Sequence, residues 1–227
     1  MTEYLSILGM VQFTAISTRH NLSFVCSRLA AGAHLRTDAH WHELFRTLSY
    51  WVASPGVGLL LKRGPESLSL VGYADADDAG DKENLSPTGG YLFTLGGAAV
   101  FWQAKKLQGA TKLSSTKSGF EATVEAGKEG QKLRLLMKEF QLLKKGVPTT
   151  LYVDNMSAVK ISQAGGLQRH MKHVDHHHMW LQDMVRLKKL KLQHIPTTVQ
   201  PADLNKAARQ GSLQLLLCSS WASSVCS

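Results

Sequence analysis

Three aspartates, Asp75, Asp154 and Asp203, stand where a folded chain can bring acids together. Asp75 closes the apolar run LSLVGYAD, Asp154 closes TTLYVD, and Asp203 falls in the first turn of a helix opening at QPADLNKAAR. Acids at the ends of adjacent parallel strands emerge side by side at the carboxyl edge of an open α/β sheet, where such sheets place their sites. Carboxylates are hard oxygen donors that suit Mg²⁺ or Mn²⁺, and two such ions about 4 Å apart can clamp the attacking and leaving oxygens of a phosphodiester. Aspartate also favours strand ends and helix N-termini for turn and dipole reasons alone, so spacing leaves metal binding and a purely local role equally open.

The elements that must position these acids follow from the apolar pattern. LSLVGYAD, GGYLFTLGG and AAVFWQAKK are short apolar or alternating runs separated by polar or glycine turns, which predicts an antiparallel three-strand meander. A long helix is expected from about Thr116 to Leu143, with Phe120, Val124 and Leu133 inward, followed by the strand TTLYVD. A short helix carrying Ala158, Val159 and Ile161, a helix from His173 to Leu187, the strand LKLQHIP and the last helix complete the pattern. Three hairpin strands followed by two strands joined through helices make a mixed five-stranded α/β sheet with helices on both faces. Ahead of it, Met1 to Leu61 reads as helical, with Trp41, Leu44, Leu48 and Trp51 at helical spacing, and KRGPES carries the punctuation of a linker. The expected organisation is a helical segment over 1–64, the α/β domain over 65–210, and a Ser- and Leu-rich tail over 211–227 with no assignment.

Bulk properties narrow the partner. A formal charge of +9 favours an anionic partner such as nucleic acid, although a solvated basic surface would give the same number. Cys26, Cys218 and Cys226 are odd in number and far apart, which argues against a disulfide framework and for a reducing compartment. The N-terminus lacks a basic region ahead of an apolar one, and no apolar run reaches the ~20 residues needed to span a bilayer. The expectation is a soluble intracellular protein, cytoplasmic or nuclear, neither secreted nor membrane-bound.

The runs GYADADDAGD, SPTGGYLFTLGGAAVFWQAKK, LSSTKS, LYVDNMSAVKIS, KHVD and QPADL occur in the order and spacing of the ribonuclease H domain of copia-type retrotransposon Pol polyproteins. STRHNLSFVCSRLA and HWHELFRTLSYW resemble the segment that connects reverse transcriptase to that domain, so the resemblance runs from about Tyr4 to Ala208. It implies a ribonuclease H-like fold that cuts the RNA strand of RNA–DNA hybrids with two metal ions, Mg²⁺ or Mn²⁺, behind an upstream reverse transcriptase. By position, Asp75, Asp154 and Asp203 match three of the family's four metal-binding, catalytic acids.

By the same resemblance the fourth acid should be a glutamate on the first long helix, separated from Ser-Ser-Thr by two residues. Counting from Ser114, Ser115 and Thr116, that position is Gly119. Glu121 lies two residues on, rotated roughly 200° about the helix axis, and Glu125 is rotated about 240° and displaced about 9 Å. Only a register slip that pulled Phe120 and Val124 out of the core would bring Glu121 to the acids as a substitute ligand. Two further departures are Asp78, where the family commonly has Trp, and LNKAAR after Asp203, where it has two apolar residues and Thr-Lys. The expected enzyme is therefore weak or inactive. A catalytically silent nucleic-acid-binding or interaction module, or a retroelement remnant without a role, stands as the alternative.

Lys105 and Lys106, and Lys172 in RHMKHVDHHH, are candidate contacts to a nucleic-acid backbone, as Arg186, Lys188, Lys189 and Lys191 could also be. His173 and His177 stand one helical turn apart, but no cysteine pair accompanies them, which disfavours zinc. Phe101 and Trp102 read as core or hairpin partners.

Overall fold

The computed structural model describes residues 2–34, 37–59, 61, 68–77, 88–107, 115–142, 146–163 and 176–202. Helices α1 (Thr2–Ser17), α2 (Ser23–Ala31) and α3 (Asp38–Ala53) come first. Strands β1 (Leu70–Asp77), β2 (Thr88–Leu95) and β3 (Ala98–Lys106) follow, then α4 (Ser115–Glu139), β4 (Thr149–Val153), α5 (Met156–Gln163), α6 (His176–Arg186) and β5 (Leu190–His194).

The first three helices gather their own core from Tyr4, Leu8, Val11, Ala15, Leu22, Leu29 and Leu44. The spacing of the first four puts them on one face of α1. The buried Arg19 guanidinium donates to the carbonyls of Ser54 at 2.7 Å and Val57 at 2.9 Å, which ties the end of α1 to the exit of α3.

The sheet runs in the order β3-β2-β1-β4-β5, with β1, β2 and β3 antiparallel and β4 and β5 parallel to β1. Leu95-Gly96-Gly97-Ala98 closes the second hairpin, with φ of 58° at Gly96 and 82° at Gly97. A two-residue turn with both central φ values positive matches the twist of the strands, and glycine adopts it without steric cost. Period-two alternation then divides the side chains between two faces. Leu70, Ala74, Phe93, Leu151, Val153, Leu190 and Leu192 bury one face against Phe120 and Val124 of α4, Ala158 of α5 and Leu181 of α6. Each large apolar side chain so buried contributes about 1.5–3 kcal/mol relative to exposure. On the other face Tyr73 stacks on Tyr152 with centroids 5.4 Å apart, beside Leu92 and Trp102. Trp102 donates its indole N–H to the Ala15 carbonyl at 2.8 Å, which joins the sheet to α1.

Helix ends are where sequence and structure part. α4 stops at Glu139, because Gln141 enters the left-handed region at φ 59° and the N–H groups of Gln141 and Leu142 return to the carbonyls of Lys138 and Met137. α6 stops in the same way, with Lys188 at φ 53° and the N–H groups of Lys188 and Lys189 bonded to Val185 and Met184. Both are Schellman closures, and neither uses the glycine that would have marked them in sequence. The expected start of α6 at His173, the linker at 62–67, the final helix and the tail lie outside the described residues.

Candidate functional site

The candidate site lies at the carboxyl ends of β1 and β4. Their last parallel rung pairs Ala74 with Val153, so Asp75 and Asp154 are the next residues along neighbouring chains. Asp75 is 2% exposed, and its Oδ1 accepts the Ala76 N–H at 2.7 Å. Across the sheet it faces Gly90 of β2. Asp154 is half-buried, and its Oδ2 accepts the Thr197 hydroxyl at 3.1 Å. Asn155 caps α5: its Oδ1 accepts the N–H groups of Ser157 at 2.9 Å and Ala158 at 3.2 Å.

The chain after β5 folds back over these strand ends. Ile195 N–H donates to the Val153 carbonyl at 2.9 Å, and the buried Gln200 side chain donates to the Ala74 carbonyl at 3.0 Å. Ala202 is fully buried, and Asp203, the next residue, lies outside the described residues.

The first turns of α4 approach from the side. A Cβ built on Gly119 would meet Asn155 Nδ2 at 2.6 Å and Asn155 Cβ and Cγ at 3.3 Å, so position 119 is aimed at the end of β4. Glu121 points elsewhere. It is 9% exposed, and its carboxylate lies 3.0 Å from Nδ1 of His177 in α6, while Phe120 packs edge-on against His178 at 4.2 Å. Glu125 is bracketed by Lys105 at 3.1 Å and Lys128 at 2.8 Å. Burial pushes the Glu125 carboxyl upward, but the hydrogen bonds and charges of the two lysines outweigh it and hold the group below its ordinary value. Lys105 is thereby engaged within the fold, while Lys106 is half-buried at the end of β3. Lys172, His173, Asp175 and Asp78 lie outside the described residues.

Asp75 and Asp154 supply the hard oxygen donors that Mg²⁺ or Mn²⁺ takes, and such ions keep several waters when only a few carboxylates bind them. The donor chemistry fits. Among the described residues no three His, Cys, Asp or Glu side chains gather into a metal-holding group. The sequence did not single out Thr197, Gln200 or the Glu121–His177 pair. Asn155, directly before a helical run, carried an N-cap signal.

The sheet order makes a mixed five-stranded α/β domain with Asp75 and Asp154 at the carboxyl ends of neighbouring parallel strands. No family model matches the chain. The retrovirus-related Pol polyprotein from transposon RE2 of Arabidopsis thaliana is 34% identical over 202 residues, which cover 89% of this chain and 14% of the relative. Secreted RxLR effector protein 161 of Plasmopara viticola is 39% identical over 126 residues, 56% of this chain and 87% of that protein. Among solved structures, LC11-RNase H1 in complex with an RNA/DNA hybrid matches 60% of this chain and 91% of its own at 14% identity, with a TM-score of 0.43. The chain belongs to the family of retrotransposon Pol polyproteins and spans about one seventh of the length of the Pol relative quoted. Among the described residues, no helix is long and apolar enough to cross a membrane.

Proposed function

We propose that the chain is the ribonuclease H segment of such a polyprotein, a hydrolase that cuts the RNA strand of RNA–DNA hybrids and is impaired at Gly119. The observation that carries this reading is the Ala74–Val153 register, which puts Asp75 and Asp154 next to each other at the sheet's carboxyl edge. Together with Asp203 they would hold Mg²⁺ or Mn²⁺. When bound, the metal supplies Lewis acidity to the phosphodiester and lowers the pKa of bound water.

The chain's own groups do the positioning. Asp75 is buried and fixed by the Ala76 N–H, so its charge acts in a low-dielectric setting, and Thr197 orients one Asp154 oxygen. Position 119 faces the same edge but carries no acid, which removes one ligand and one contact to the cleaved strand. Lys106, and Lys172 by its place in the sequence, would draw in the phosphate backbone in a salt-dependent, sequence-independent way. Residues 1–64 serve as the connection to an upstream reverse transcriptase, and the whole acts inside the cell.

A labelled 20-base-pair RNA–DNA hybrid incubated with Mn²⁺ or Mg²⁺ tests this. Slow cleavage of the RNA strand, lost in Asp75→Asn and Asp154→Asn, is the expected result. Cleavage that survives Asp75→Asn would overturn the assignment. A second reading, a catalytically silent hybrid-binding module, is favoured by the Asn155 amide filling the space in front of Gly119. Salt-sensitive hybrid binding without cleavage under any metal would select it.

A further inference from the structure

We propose that Asn155 is a nucleic-acid contact of the site, its side-chain amide donating to a phosphate oxygen of a strand lying over the ends of β1 and β4; this deepens the nucleic-acid reading above and rests on it. Asn155 follows Asp154 directly, just past the last β1–β4 rung at Ala74 and Val153. Its Oδ1 accepts the N–H groups of Ser157 at 2.9 Å and Ala158 at 3.2 Å. Backbone N–H groups only donate, so the atom facing them is the oxygen and the amide cannot be flipped. Nδ2 is thereby turned toward the first turns of α4, where it lies 2.6 Å from a Cβ built on Gly119.

Glycine at 119 leaves that space to the amide. The place that the resemblance gives to a carboxylate therefore holds a group of opposite habit. An amide NH₂ carries two donors and no acceptor, so it cannot ligate a cation and suits an anionic oxygen. Two carboxylates on this edge repel a phosphate, and a donor beside them offsets part of that repulsion. Asn155 is half-buried, so the residue stays within reach of solvent while its cap holds the side chain in one orientation. A strand that binds it does not have to order a free side chain. The +9 charge of the chain draws in a strand without regard to sequence, whereas a fixed neutral donor next to Asp154 sets where one phosphate comes to rest.

The test is fluorescence anisotropy of a labelled RNA–DNA hybrid with the full chain in EDTA, over a series of salt concentrations, set beside calorimetric titration with Mn²⁺. Asn155→Ser keeps a side-chain oxygen for the cap and removes the amide nitrogen. It is expected to weaken hybrid binding roughly fivefold to tenfold, the scale of one lost hydrogen bond, with the salt slope unchanged because a neutral donor releases no counterion. Asn155→Asp also keeps the cap but puts an anionic oxygen where the nitrogen stood. Hybrid binding should then fall further while Mn²⁺ affinity rises severalfold, since another carboxylate joins the edge. A residue that only capped α5 would not move the two ligands in opposite directions. Hybrid affinity within about twofold of the parent in Asn155→Ser would overturn the proposal, as judged against the loss of one hydrogen bond. A loss accompanied by a shallower salt slope would overturn it too, placing the effect on displaced lysines. Weakening of hybrid and Mn²⁺ together in Asn155→Asp would leave Asn155 a structural cap. An equal loss on a DNA duplex of the same sequence marks the acceptor as phosphate; a loss confined to the hybrid would give it to a 2′-hydroxyl and overturn the phosphate assignment. If one variant does not fold, the other decides by its own outcome. Parent cleavage that Asp75→Asn abolishes upholds the metal-site reading whatever Asn155 does, and a parent that neither binds nor cleaves the hybrid sinks both.

Discussion

Gly119 is the position where a single substitution separates helix stability from site chemistry. Any side chain there must displace the Asn155 amide, whose Nδ2 lies 2.6 Å from the new Cβ. That amide also caps α5 through Ser157 and Ala158, and losing a cap costs about 1 kcal/mol. Replacing glycine within a helix returns about 1 kcal/mol. The two effects nearly cancel, so Gly119→Ala, Gly119→Gln and Gly119→Glu should each change stability by no more than about 1 kcal/mol, a melting shift of about 2–4 °C at this chain length. Chemistry should divide the series differently. Gly119→Glu aims a carboxylate at the edge where Asp75 and Asp154 end, so Mn²⁺ affinity and hybrid cleavage should rise with Glu and stay flat with Gln and Ala. Calorimetry with Mn²⁺ and a labelled-hybrid assay read both. Equal behaviour of Glu and Gln would refute the claim that position 119 faces the acids. A loss of more than about 3 kcal/mol in Gly119→Ala would show that the Asn155 amide cannot yield. Parent cleavage at full rate that Glu121→Gln abolishes would mean Glu121 leaves His177 to serve as the missing ligand.

Two other outcomes follow from charge and burial. Glu125 is held below its ordinary value of 4.5 by Lys128 and Lys105, so its contribution to stability is fully present above that pH and is lost as pH falls through the depressed folded value. Urea unfolding should therefore show Glu125→Gln less stable than the parent at pH 7 and equal to it well below pH 4; a gap that persists in acid would contradict the ion-pair account. Burial raises the Cys26 thiol to about 11, so in a Cys218→Ser, Cys226→Ser background it should resist a thiol reagent at pH 8 until the helical unit unfolds. Rapid reaction in the native state would show that the core around α2 opens.

How much was legible in the sequence depended on whether the signal was local. Alternating apolar residues specify β1 to β3 because period two forces one face inward, and the glycine pair at 96 and 97 specifies the hairpin because few other residues take positive φ twice in succession. The motif order singles out Asp75, Asp154 and Gly119 as candidates, since these are facts of residue type and count, and the strand register then sets Asp75 and Asp154 on neighbouring strands. The ends of α4 and α6 were not legible, because Gln141 and Lys188 occupy left-handed closures through backbone bonds that carry no side-chain signature. Nor could the sequence assign partners to the charged residues. Helical phase turns Glu121 off the direction of Gly119, but only the packing of α6 against α4 supplies His177 as its partner. Lys105 reads in sequence as a candidate contact to a nucleic-acid backbone, and only the register of β3 beside α4 supplies Glu125 as its partner within the fold. Gln200 and Ala74 are 126 residues apart, and their bond exists only because the β1–β4 ladder ends where the returning chain crosses it. Propensity and motif are written residue by residue; which donor meets which acceptor is decided when distant strands and helices are brought within 3 Å, and that depends on the whole fold.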